Sequence, residues 1–113
     1  MPGELYVTEL MYGCVSVFSL ANHKFLRYFG GMYAAVGSLT FPVAVAVHPN
    51  TGDVVVVDQS RHPLQIFDRQ GKFLRSVGVG ELQTPSSICV NPATGRVYVV
   101  DYGNRRVVIV PGV

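Results

Sequence analysis

Apolar residues occur in short runs of valine, isoleucine, tyrosine and phenylalanine, which glycine, proline, asparagine and aspartate interrupt every few positions. Helical periodicity is nearly absent, so the pattern predicts short β-strands joined by tight turns. The run VVVV at 54–57 is apolar throughout rather than alternating, which is typical of a strand whose sheet is covered on both faces. The pattern therefore predicts an all-β fold built from stacked sheets.

The pattern also repeats along the chain. Residues 41–67 align with residues 84–110 without a gap, at an offset of 43 residues that places Asp58 on Asp101. A poorer copy at 4–18 aligns with 53–67 and places Glu9 on Asp58. So many matched positions at one period indicate a repeat architecture.

Each repeat is expected to contain four strands, which we call a, b, c and d. Proline and glycine lie between a and b and glycine lies between c and d, as tight reversals require. A unit of about 40 to 50 residues with four strands is typical of a propeller blade. The predicted blades are 4–30 with strands b to d, 41–78 with strands a to d, and 84–110 with strands a to c.

The repeat motif resembles the NHL repeat of NHL-type β-propellers. The third blade matches it best, at Pro85, Val90, Gly95, Val97, Tyr98, Val99, Asp101, Asn104, Arg106 and Ile109. The second blade departs from it at Arg61 and Pro63, and the first departs further, at Glu9, Tyr12 and Cys14. The resemblance implies an NHL-type β-propeller segment of four-stranded antiparallel blades.

The segment is expected to be incomplete, because about two and a half blades do not close a propeller of 4 to 8 blades. Open ends would expose strand edges and apolar blade surfaces. The sequence therefore predicts that further blades, or self-association of the chain, complete the ring.

In a propeller of this type the b–c turns and the d–a connections lie on one face, which the resemblance implies is used for binding. We call it the loop-bearing face. Its binding candidates are Tyr12, Arg61, His62, Tyr102, Asn104 and Arg105, joined by Met32, Tyr33, Glu81 and Gln83 from the connections. Tyrosine and arginine are favoured anchors at protein interfaces. They can also stack bases and hold phosphates of single-stranded RNA, or simply occupy exposed turns.

The motif DYGNRR at 101–106 combines structural and binding candidates. Asp101 and Asn104 can bond nearby backbone N–H groups and fix the turn. Arg106 can pair with the acid or with the next blade. Arg105 has no counterpart in the repeat pattern, so we interpret Arg105 and its neighbour Tyr102 as the better binding candidates.

No catalytic, metal-binding or cofactor-binding motif is recognised. Cys14 and Cys89 lack a CxxC spacing, and His23, His48 and His62 form no metal-ligand spacing. Cys89 is expected to be a small buried core residue, and Cys14 an ordinary thiol in a turn. The main hypothesis is a non-enzymatic binding or scaffold module that binds a protein partner. The alternatives are an RNA-binding propeller and part of a propeller hydrolase or lyase.

Composition narrows the remaining classes of protein and of partner. With 49% apolar and 14% charged residues, disorder is disfavoured, and a net charge of +2 by itself indicates no nucleic-acid partner. The sequence contains no basic leader before an apolar run and no apolar stretch that approaches the length of a membrane helix. A cytoplasmic protein without a membrane partner is therefore expected.

Overall fold

A computed structural model describes residues 3–31 and 37–110, and in this part of the chain ten strands form three antiparallel sheets. The first sheet contains β1 (Glu4–Glu9), β2 (Cys14–Ser19) and β3 (Phe25–Gly30). The middle sheet contains β4 (Pro42–Val47), β5 (Val54–Asp58), β6 (Leu64–Phe67) and β7 (Phe73–Val77). The third sheet contains β8 (Pro85–Val90), β9 (Val97–Asp101) and β10 (Arg106–Val110).

In each sheet the strands follow one another in chain order, so every pairing is a hairpin between sequence neighbours. The middle sheet has all four strands, whereas three strands are described in each flanking sheet. This is the expected all-β segment of a propeller with antiparallel blades. The three sheets fall within the ranges 4–30, 41–78 and 84–110.

The repeat extends to irregularities in strand pairing. The β4–β5 ladder shifts register between Pro42 and Ala44, and the β8–β9 ladder shifts between Pro85 and Ser87, at the equivalent positions. Proline lacks the N–H that a regular ladder needs, so a proline beside an irregularity is expected. The sequence repeat therefore encodes a backbone repeat as well as a pattern of side chains.

The first and middle sheets pack face to face through one apolar core. Val15, Val17 and Phe29 of the first sheet meet a middle-sheet surface that includes Val54 and Phe67. The rings of Phe29 and Phe67 have centroids 4.8 Å apart, within the range of favourable aromatic pairs.

The c–d turn of the middle sheet also packs against the first sheet. Asp68 Oδ1 accepts hydrogen bonds from the backbone N–H groups of Gln70 and Lys72, both at 2.9 Å. A Cβ at Gly71, where φ is +91°, would lie 2.7 Å from Phe29 Cβ. Glycine therefore serves here both the turn conformation and the close approach of two blades.

A second core joins the middle sheet to the third sheet. Val57 and Leu64 of the middle sheet pack with Val97 and Val99 of the third. Val54 and Val56 of β5 belong to the first core and Val57 belongs to the second, and all five residues of β5 are buried. This arrangement explains why VVVV is continuously apolar: both faces of its sheet are covered.

Both cysteine predictions are wrong. Cys89 is exposed, because it lies opposite Tyr98 on the side of the third sheet that faces away from the middle sheet. Cys14 is buried as the first residue of β2 rather than lying in a turn, and burial raises the pKa of its thiol. An apolar strand pattern does not reveal which side of a terminal sheet meets a neighbour.

Within the described residues no helix is long and apolar enough to cross a membrane. The cytoplasmic location expected from the sequence stays a prediction.

Candidate binding surface on the loop-bearing face

The structure brings each b–c turn against a neighbouring d–a connection. The backbone N–H of Gly31 donates to Gly13 O at 2.7 Å beside the first sheet. At the third sheet the N–H of Gly103 donates to Gln83 O, also at 2.7 Å. The two loop classes therefore form one surface, as the propeller layout predicts.

A buried carboxylate anchors this surface at the third sheet. Asp101 ends β9 and is fully buried. Its Oδ1 accepts a 2.7 Å hydrogen bond from the backbone N–H of Gln83. Its Oδ2 accepts from Asn104 Nδ2 at 2.8 Å and from Arg106 Nε at 3.0 Å. Arg106 thus pairs with the acid of its own blade, which was one of the two alternatives left open by the sequence.

The connection before β8 is held by the same side chains. Arg106 Nη2 donates to the carbonyl oxygen of Glu81 at 2.9 Å, and Asn104 Nδ2 lies 3.5 Å from the same oxygen. The side-chain amide of Asn104 therefore contacts both Asp101 and the connection, although the residue is exposed. Its role in this structure is to fix the turn.

Competing effects act on the Asp101 carboxyl. Burial by itself would raise its pKa, but hydrogen bonds from Asn104, from the Gln83 N–H and from Arg106 outweigh burial and lower the pKa below its usual value. The ionised carboxylate is therefore the form that holds the turn together.

Asp58 serves the same purpose in the middle sheet with different partners. Its carboxylate accepts from the backbone N–H of Phe41 at 2.8 Å and from that of Thr40 at 3.0 Å. Ser60 Oγ donates to its other oxygen at 2.6 Å, where the third sheet uses Asn104 and Arg106. The acid thus joins a b–c turn to a d–a connection in two blades, while its polar partners on the turn differ.

The first sheet uses its acid differently. Glu9 accepts a hydrogen bond from the Ser16 hydroxyl on the neighbouring strand. Cys14 Sγ lies 3.8 Å from the same carboxylate oxygen. The acid therefore joins a turn to a connection at Asp58 and Asp101, whereas Glu9 bonds a neighbouring strand of its own sheet.

Tyr102 and Arg105 occupy the tip of the third turn. Residues Tyr102–Asn104 form a short 3-10 helix, and Arg105 follows with φ +53° and ψ +47° in the left-handed region. Tyr102 is 69% exposed, and Arg105 is also exposed. Neither side chain forms a hydrogen bond or ion pair with any residue of 3–31 or 37–110, so both are available to a partner.

The other candidates also lie on the loop-bearing face. Tyr12, Arg61 and His62 are exposed on the first and second b–c turns. Glu81 and Gln83 contribute backbone carbonyls to the network around the third turn. Met32 and Tyr33 lie outside the described residues.

Sequence reasoning missed Gln59, which links two blades at this surface. Its Nε2 donates to the carbonyl oxygen of Pro85 at 3.2 Å, from the turn after β5 to the first residue of β8. A shallow cleft of about 300 Å³ lies beside this bond, lined by Gln59, Ser60, Leu82, Thr84 and Pro85. No local motif identifies Gln59, because its partner belongs to another repeat.

Among residues 3–31 and 37–110, no three His, Cys, Asp or Glu side chains are grouped closely enough to hold a metal ion together. His48 follows β4 at the a–b turn and is buried, whereas His62 is exposed on a b–c turn. These two turn classes lie at opposite ends of the strands.

Comparison with known proteins identifies the fold and one repeat. Residues 82–110 match the family model described as NHL repeat. The WD40 β-propeller domain of Doa1 is similar in structure, with a TM-score of 0.70 and 18% identity, over 95% of this chain and 32% of that one. A hydrazine synthase from Kuenenia stuttgartiensis has a TM-score of 0.66 and 19% identity, again over 95% and 32%. Among curated proteins, no significant match was found.

The fold and these similarities define the class of protein: the chain is a segment of a β-propeller. Within that class, its third blade carries the matched NHL repeat, which fits an NHL-type segment. It spans about a third of the length of the solved structures named above. A propeller with an NHL repeat supports, in general terms, a protein-interaction or scaffold module.

Proposed function

We propose that the loop-bearing face binds a protein partner, with Tyr102 and Arg105 as its main anchors. One observation carries the proposal. The polar groups of the third turn are engaged in the Asp101 network, whereas the side chains of Tyr102 and Arg105 project from it without a partner in the described chain.

The geometry favours binding because the anchors need little ordering. The backbone that carries Tyr102 and Arg105 is held by the Gly103–Gln83 bond and by the Asp101 carboxylate. A partner would therefore immobilise two side chains rather than a whole loop, which lowers the entropic cost of association. Tyrosine and arginine are also the residue types enriched among interface residues that dominate affinity.

Tyr12, Arg61 and His62 extend the proposed surface along the other two turns. Together with the cleft beside Gln59, they give it aromatic, cationic and concave elements. The proposal assigns no catalytic residue and no cofactor. A hydrolase or lyase activity would require groups from elsewhere in a larger propeller.

The test places a photo-crosslinking amino acid at Tyr102 and, as a matched control, at Thr51, which is exposed on an a–b turn. We expect a specific crosslinked protein from Tyr102 and none from Thr51. Binding of that purified protein should weaken at least tenfold in Tyr102→Ala and Arg105→Glu, with unchanged melting temperatures. Unchanged affinity in both variants would overturn the proposal.

RNA binding is the function that would replace protein binding in this proposal. Because phosphate contacts release counterions, RNA binding would weaken steeply with salt and would weaken further in Arg61→Glu and Arg105→Glu. If a pool of single-stranded RNA behaved in this way while no protein crosslinked at Tyr102, the RNA function would be the correct one.

A further inference from the structure

The third sheet exposes an apolar surface on the side away from the middle sheet. We call it the C-terminal open surface, and its members are Ser87, Cys89, Tyr98, Val100, Val107 and Ile109. Cross-strand pairing places Val100 opposite Val107, and Tyr98 opposite Ile109. Val107 is 63% exposed and Ile109 is 52% exposed.

The first sheet exposes a second apolar surface on its outer side. We call it the N-terminal open surface, and its main members are Leu5, Val7, Phe18, Phe25 and Tyr28. Leu5 pairs with Phe18, and the rings of Phe18 and Phe25 meet edge to face at 5.9 Å. Leu5 is 48% exposed and Phe25 is 54% exposed. Two polar residues on this surface, Glu9 and Ser16, are hydrogen-bonded to each other.

Residues of the C-terminal open surface correspond to residues that are buried in the middle sheet. Tyr98, Val100, Val107 and Ile109 each follow their middle-sheet equivalent by the 43-residue period. Those equivalents are Val55, Val57, Leu64 and Ile66, and all four are completely buried. Val57 and Leu64 pack against the third sheet. The C-terminal open surface is therefore the same kind of surface as one that already forms a blade–blade interface.

The N-terminal open surface corresponds to the opposite side of the middle sheet. Leu5, Val7 and Phe18 align with Val54, Val56 and Phe67. Those three residues are buried in the core shared with the first sheet. Each interface in the structure thus joins one side of a blade to the opposite side of the next blade. By position, the two open surfaces therefore correspond to the two halves of such an interface.

We propose that a second copy of this chain covers both surfaces, with the C-terminal open surface of each copy packed on the N-terminal open surface of the other. Two head-to-tail junctions related by a two-fold axis close the assembly, so that neither apolar surface stays exposed. Each copy supplies the three sheets formed by its described residues, so the closed pair has six of them, within the usual range of propeller blades.

Head-to-tail packing has a consequence that distinguishes it from symmetric pairing of like surfaces. Every junction needs one C-terminal and one N-terminal open surface, so damage to either one abolishes all junctions between identical variants. Two variants damaged on different surfaces can still form one intact junction when they are mixed.

The experiment uses Leu5→Glu for the N-terminal open surface and Ile109→Glu for the C-terminal open surface. Both side chains are half exposed in the single chain, so the substitutions are compatible with its fold, whereas a buried unpaired carboxylate opposes association. Ala93→Glu is the matched control, because it adds the same charge on an exposed a–b turn of the third sheet.

Light scattering coupled to gel filtration should give the wild-type chain and Ala93→Glu twice the 12.3 kDa mass of one chain, and each open-surface variant the mass of one chain. An equimolar mixture of Leu5→Glu and Ile109→Glu should again give the mass of two chains. A monomeric wild-type chain, a dimeric single variant, or a ladder of larger oligomers would overturn the proposal.

Cys89 provides a second measurement, because it lies on the C-terminal open surface. Its alkylation by iodoacetamide should slow at least tenfold as the concentration of the wild-type chain rises, and should not change with the concentration of Ile109→Glu. A concentration-independent rate for the wild-type chain would contradict the proposal. Tyr102→Ala should not alter the oligomeric state, which separates this inference from binding at the loop-bearing face.

Discussion

The backbone N–H of Gln83 donates a 2.7 Å hydrogen bond to the carboxylate of Asp101, which lies 18 residues later in the chain and ends β9. The N–H of Phe41 donates to Asp58 at 2.8 Å in the same way one blade earlier. In both blades, a buried acid at the end of the second strand fixes the connection that leads into the first strand. This relationship ties the b–c turns of these two blades to the d–a connections on the loop-bearing face.

Replacement of Asp101 should therefore lower stability by an amount that depends on the acceptor that remains. Asp101→Ala leaves the Gln83 N–H and the Arg106 guanidinium without their acceptor and should lower the free energy of unfolding by about 3 kcal/mol. Asp101→Asn keeps one acceptor oxygen and should lose about half as much. Urea unfolding followed by circular dichroism measures the difference. Glu81→Ala is the control, because Glu81 enters the network through a backbone carbonyl that alanine retains.

Acid should weaken the contact between the first two blades through Glu4. Arg27 donates to both carboxylate oxygens of Glu4 at 3.0 Å and to the carbonyl oxygen of Arg69 at 2.7 Å. The hydrogen bonds from Arg27 lower the pKa of Glu4 from 4.5 to about 2, against the opposing effect of burial. The folded-state pKa lies below the unfolded value, so this stabilisation is present above about pH 4.5 and is lost as the pH falls towards about 2.

Unfolding measured from about pH 5 to about pH 2 checks this prediction. Glu4→Gln should be less stable than the wild-type chain at the upper pH and should lose less stability as acid is added. Tyr6→Phe removes a weaker hydrogen bond to Glu4 and keeps the Arg27 pair, so it should retain most of the wild-type acid dependence. Parallel acid profiles for Glu4→Gln and the wild-type chain would show that the pair contributes nothing.

Gly103 should not tolerate a side chain. A Cβ at this position would collide with the carbonyl oxygen of Gln83, the same atom that accepts the Gly103 N–H. Gly103→Ala must displace the turn from the connection and should cost about 2 kcal/mol in thermal or urea unfolding. The neighbouring change Tyr102→Ala removes an exposed side chain and should stay within about 0.5 kcal/mol of the wild-type chain. Equal stability of the two variants would contradict the close approach.

The architecture could be predicted from the sequence alone, because the repeat specifies pairing between strands that are neighbours along the chain. Alternating turn residues and β-branched runs specify hairpins between neighbouring strands, and the period of 43 residues specifies stacked blades. The continuous run of valines at 54–57 even indicated which sheet is covered on both faces.

The partners of individual side chains were decided only by the tertiary structure. Arg106 had two possible partners in the sequence, and the hairpin between β9 and β10 places it on Asp101. Gln59 bonds Pro85 because two blades are adjacent at that point.

Cys89 shows that burial, like the choice of side-chain partners, could not be predicted from the sequence. Its strand pattern predicts burial, yet the described chain has no sheet on that side of β8. Sequence determined which residues form strands and where the strands turn, because those choices depend on neighbours along the chain. The tertiary structure decided which side chains are buried, paired or free, because those outcomes depend on which blade lies beside them.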